Sequence, residues 1–170
     1  MIGAIALHEW RRLRSSLLLW LLLAFGQLII GWLTFAQLEA FAEIAPQLKA
    51  TASGLGAMDL VIMPTLNSLV LLLLLTIPLL AMGSLAGETR SGRMALWLSA
   101  PVSASQIVLG KTLGLWLASL PLVLGASLTL MALGLAVDLD WPRCAVALGS
   151  LGLFGLWLSC IAVLLSGLFD

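Results

Sequence analysis

Charge is what this chain has least of. Eight Lys/Arg and eight Asp/Glu make up 9% of its 170 residues, against about 25% in a soluble domain. So few charges cannot cover a water-facing surface, and the main solvent must be lipid, in keeping with 62% hydrophobic residues and a mean hydropathy of +1.16. The formal net charge is zero, and without a basic excess nucleic acid is not an expected partner. The length suits three to five membrane spans with short connections and leaves no room for a separate soluble catalytic domain.

Reactive residues are equally scarce. Cys144 and Cys160 are the only two cysteines, and in one helix they would stand about 24 Å apart, beyond disulfide reach. There is no CxxC pair and no Cys/His metal spacing, so both are expected as small apolar packing residues. The one histidine, His8, sits beside Glu9 with no second ligand in sight. No carboxylate falls inside a long apolar run, where a proton-coupled carrier generally needs one. Gly110-Lys111-Thr112 imitates the end of a phosphate-binding loop, but Ser105 occupies the position of that loop's first glycine. The segment also leads into a membrane helix rather than out of a strand. No GxSxG elbow is present. No catalytic, cofactor or metal site is expected in this chain.

What the sequence does have is four long runs without charge, at 15–38, 60–87, 112–137 and 144–169. Each is long enough for a bilayer crossing, which takes about 20 apolar residues. The second run exceeds that need and contains Pro64 and Pro78, so its membrane part is expected over 65–87 with a kink near Pro78. Pro121 should bend the third. The expected fold is an all-α polytopic transmembrane bundle of four spans with amphipathic interfacial helices, forming one domain over 1–170.

Orientation follows from Lys and Arg. Arg11, Arg12 and Arg14 precede the first run, and Arg90, Arg93 and Lys111 lie between the second and third. Only Lys49 and Arg143 fall on the other side, with Glu39, Glu43, Asp59, Asp138 and Asp140. Both termini and residues 87–111 are therefore expected to be cytoplasmic. Residues 1–14 form an amphipathic surface helix, with Ile2, Ile5, Trp10 and Leu13 towards lipid and the arginines towards headgroups. Leu38, Phe41, Ile44 and Leu48 repeat at three- and four-residue spacing, as in a second surface helix bent by Pro46. Trp10, Trp32 and Trp141 fall at expected interfaces. Gly110 with Gly114, and Gly149, Gly152 and Gly155, suit close helix approach. Gln27, Asn67, Thr76, Ser127 and Thr129 are the neutral polar groups of the spans, expected to bond between helices or line a path.

Residues 87–111, GETRSGRMALWLSAPVSASQIVLGK, are too long and too patterned for a plain connection. Glu88, Arg90 and Arg93 mark the membrane exit, and Ser91-Gly92 permits a tight turn. Met94, Trp97 and Leu98 then share one helical face. Pro101 ends that helix, Ser103 can cap the next, and Ile107 and Leu109 lead into the third span. Such a helix, lying across the ends of two spans, either receives a push from a soluble partner or merely anchors the turn.

These residues resemble the ABC-2 type transporter permeases, in particular the branch linked to gliding motility and multi-copper enzyme maturation. The likeness rests on Glu88, Arg90, Ser91, Gly92, Pro101, Val102, Ser103, Ile107, Val108, Leu109, Gly110 and Lys111. The resemblance implies a permease subunit of an exporter in a bacterial inner membrane, with residues 87–111 as its coupling segment. Docking on a separate ATP-binding cassette subunit would use Met94, Trp97 and Leu98 as the knob. Glu88, Arg90, Gly92, Arg93 and Pro101 would form the polar rim and hinge around it. ATP and Mg would be bound by that partner, and a second permease copy would complete the assembly in the lipid bilayer. The departures are Gly87, Arg93 and Ala95, where the family pattern carries glutamate, threonine and an acid. The family has six spans against four expected here, so the resemblance implies either a truncated or fragmentary version or another chain that supplies the rest. The rival reading is a non-transporting membrane scaffold or assembly factor, which needs no ATPase.

Overall fold

A computed structural model describes residues 1–51, 56–82, 103–135 and 139–168, and among these residues every regular element is helical. Helix α1 spans Ile2–Arg14, α2 Leu17–Thr51, α3 Met63–Ala81, α4 Ala104–Leu133 and α5 Trp141–Leu168. Among the described residues, four helical stretches are long and apolar enough to cross a membrane: Leu17–Gln47, Met58–Ala81, Ala104–Leu133 and Trp141–Gly167. The chain is an all-α, multi-pass membrane bundle.

A sharp corner at Ser15 separates the first two helices. The backbone N–H of Ser15 bonds Arg11 O and its hydroxyl donates to Arg12 O at 2.7 Å, while Trp20 Nε1 reaches back to Arg14 O at 2.8 Å. The residues expected to form a second surface helix instead continue α2, which runs unbroken for 35 residues with Pro46 inside it. At 1.5 Å per residue it is about 52 Å long, against about 30 Å of bilayer hydrocarbon. Apolar residues at helical spacing carry on past the end of the span, so nothing in that stretch forces a break.

The third helix begins earlier than Thr65. A wide π-helical turn, Met58–Ile62, runs directly into α3. Pro64 follows at the start of α3 and can donate no backbone hydrogen bond, and a proline ring crowds the carbonyl four residues before it. Widening the preceding turn relieves both faults. Leu66, Leu69, Leu73, Ile77 and Leu80 recur every three or four residues along α3 and are all nearly inaccessible. Half of this helix's most apolar window is buried, against 28–33% for the other three. It is the most buried of the four and packs against α2, α4 and α5, and the apolar side chains facing outward are left for lipid.

Candidate functional site

The expected docking residues Glu88, Arg90, Gly92, Arg93, Met94, Trp97, Leu98 and Pro101 lie outside the described residues. The exit from their segment is described in full. Ser103 is extended (φ −76°, ψ 149°) and caps α4. Its hydroxyl accepts from the Gln106 N–H at 3.4 Å, and the Gln106 side chain accepts from the Ser103 N–H at 3.4 Å. This reciprocal capping box satisfies two backbone donors that would otherwise lack partners. Ser103 therefore does what its position in the sequence predicts, and α4 is helical from its first residue.

The first turns of α4 are covered by α1. Ile107 is buried, while Leu109 faces outward. A Cβ added at Gly110 would lie 2.6 Å from Ile5 Cβ, and one at Gly114 would lie 2.6 Å from Glu9 Cβ and 2.8 Å from Ala6 O. Glycines four apart share one helix face, and here they let α1 lie almost backbone to backbone against α4, as the Gly110–Gly114 spacing suggests. That contact corrects the lipid-facing assignment of α1. Ile5 and Leu13 are 6% and 5% exposed and turn towards protein, and Trp10 packs partly against the core. An amphipathic pattern shows that a helix has an apolar face, but not whether lipid or another helix covers it.

Between the two glycines sits a cation. The Lys111 side chain is 1% exposed and its Nζ lies 3.4 Å from Oε2 of Glu9, which is itself 2% exposed. The other carboxylate oxygen of Glu9 accepts from Arg12 Nη2 at 2.5 Å. One buried carboxylate thus bridges a cation on its own helix and a cation 102 residues away. The neighbouring Thr112 hydroxyl is buried with no hydrogen-bond partner among the described residues. Spacing gives no sign of the Glu9–Lys111 pair. The one available signal is a lysine placed between two glycines of a helix, with no nearby acid on its own face. The phosphate-loop imitation at Gly110-Lys111-Thr112 is accordingly mid-helix, with its lysine committed to a carboxylate.

Deeper in the bundle, Gln27 of α2 donates to the carbonyls of Pro121 and Leu122 on α4, at 3.2 and 3.1 Å. Trp116 Nε1 of α4 donates to Gly152 O of α5 at 2.8 Å. Thr65 of α3 bonds Val61 O and reaches Gln37 Oε1 of α2 at 3.3 Å. These three crossings are thus tied by polar contacts of the kind that hydrocarbon favours. Of the polar groups expected to link helices, Gln27 does so. Ser127 and Thr129 bond carbonyls of their own helix, at Leu124 and Gly125, and Asn67 is exposed. Gly155 meets Ser119, Trp116 and Ile77 at ordinary contact distance, but an added Cβ at Gly149 or Gly152 would meet nothing within 4 Å. Those two glycines do not mediate close approach within the described chain. Both cysteines are free thiols, with Cys144 buried beside Met58 Sδ at 3.9 Å.

The arrangement is a capped helix head, covered by α1, that directly follows the segment 83–102. Residues 3–169 match the family described as ABC-2 family transporter protein, and the chain belongs to that family. Neither the curated proteins nor the solved structures gave a match to it.

Proposed function

We propose that this ABC-2 family chain is the membrane-spanning permease subunit of an exporter driven by a separate ATP-binding cassette subunit. The motif over 87–111 is that of the gliding-motility and multi-copper enzyme maturation branch. The observation that carries the reading is the family match over residues 3–169. The geometry at the head of α4 supports it. A helix capped at its first residue and clamped along its first three turns can relay a displacement without fraying. ATP and Mg belong to the partner, whose closure on nucleotide would move residues 87–101 and with them α4. Two permease copies pair with two ATPase subunits in a bacterial inner membrane, with the N-terminus and residues 87–111 on the cytoplasmic side.

Met94, Trp97 and Leu98 form the docking knob, and Trp97 is its centre because buried aromatics dominate interface energies. Trp97→Glu places a charge in that contact. The expected outcome is loss of ATPase co-purification from membranes, with insertion and yield of the permease unchanged. Undiminished co-purification would remove Trp97 from the interface. If the unmodified chain recruits no ATPase at all, it is a membrane scaffold.

A further inference from the structure

A lysine ammonium is costly to bury without a counter-charge, yet Lys111 is 1% exposed on a membrane helix. The carboxylate beside it comes from α1, and the residues before and three after it are glycines that α1 overlies. Gly110, Lys111 and Gly114 therefore lie within five consecutive positions and meet one partner through two kinds of contact. The glycines allow depth, and the charge pair fixes register. An apolar contact alone would tolerate sliding. A one-residue shift of α1 would turn Glu9 by about 100° and carry it away from Lys111.

We infer that residues 110–114 are a built receptor site for α1, locked by the Glu9–Lys111 pair, so that α1 and the head of α4 move as one body when residues 83–102 are displaced. The lock stands on the geometry, and the motion rests on the transporter reading above. In this arrangement α1 is a second arm of the transmission, and Lys111 is a positioning residue acting through Glu9. It also gives the Ile-Val-Leu-Gly-Lys stretch a physical role: the glycine admits α1 and the lysine holds it.

The seating of α1 can be read without any ATPase, in inside-out vesicles carrying the full chain with Cys144→Ala, Cys160→Ala and Ile5→Cys. Position 5 is 6% exposed over Gly110, so a membrane-impermeant maleimide should label it slowly. Glu9→Gln removes the carboxylate from a buried ammonium, and labelling should rise roughly tenfold or more. Lys111→Met leaves Glu9 on Arg12, and the rise should be smaller. The double variant Glu9→Gln/Lys111→Met leaves no cation beside a neutral partner and should return towards the parent rate. Lys111→Arg should keep position 5 shielded. Equal labelling of the parent and Glu9→Gln overturns the lock, as does a double variant more exposed than either single one.

The motion is tested separately, with spin labels at Leu7→Cys and Ser105→Cys, exposed positions on α1 and the head of α4, in a chain lacking Cys144 and Cys160 and bound to the partner ATPase. The separation of the labels should be the same with and without ATP. A separation that changes on nucleotide binding overturns the one-body claim. A chain whose position 5 is shielded but which recruits no ATPase defeats the transporter reading, and the motion with it, while the lock stands.

Discussion

Gly125 is a glycine because of a side chain on another helix. An added Cβ there would fall inside the Gln27 amide, which would have to abandon the carbonyls of Pro121 and Leu122. Gly125→Ala should therefore cost about 1–2 kcal/mol, the scale of an interhelical hydrogen bond in a membrane. In a Gln27→Ala background the same substitution should cost markedly less, because the side chain that the new Cβ would meet is already gone. Thermal unfolding in detergent of the four proteins of this cycle measures the difference, and equal costs in both backgrounds would rule out the coupling. Gln27 itself was legible in the sequence as a polar group able to bond between helices. Its glycine partner was not, because a sequence pattern records spacing along one helix and this fit depends on where two helices cross. The same limit hid Glu9 and Lys111, which are 102 residues apart. Gly110 and Gly114 were legible because their four-residue spacing lies within a single helix.

At the scale of the element, boundaries set by local chemistry are the ones the sequence discloses. Ser103 with Gln106 three residues on is a capping box in the letters and in the structure. Ser103→Ala should remove about 1 kcal/mol from the first turn of α4. Hydrogen exchange at the amides of residues 104–107 should then speed up roughly fivefold, 1.4 kcal/mol being a factor of ten, with exchange deeper in α4 unchanged. If the whole helix exchanged faster, the cap would be governing global stability rather than the helix head. The boundaries missed were those that depend on a neighbour or on the absence of a stop. Helix α2 runs through Pro46 to Thr51 because nothing obliges it to end at the edge of the span. Before Pro64 the chain becomes a π-helical turn rather than ending, since one wide turn answers the missing donor and keeps Val61 and Ile62 buried.

For the whole molecule, the packing of α1 and the distribution of charge bear on the same question. Helix α1 lies on the first turns of α4, so the N-terminus and residue 103 are at one end of the bundle. Cys144 lies beside Met58, so the start of α5 and the π-helical turn meet at the other. Arg11, Arg12, Arg14 and Lys111 belong to the first end, and Glu39, Glu43, Asp59 and Asp140 to the second. Lysine and arginine are retained on the cytoplasmic side during insertion, and on that ground we propose that α1 and the head of α4 lie inside the cell. In a chain lacking Cys144 and Cys160, an impermeant thiol reagent applied to intact cells should label Glu43→Cys and Arg143→Cys. It should spare Ser105→Cys until the membrane is opened. The three sites are exposed in the folded chain, so shielding by protein cannot account for that pattern. The reverse pattern would turn the bundle over and leave residues 87–111 unable to meet an ATPase in the cytoplasm. The transporter mechanism would then fail even though the fold and the family assignment remained correct.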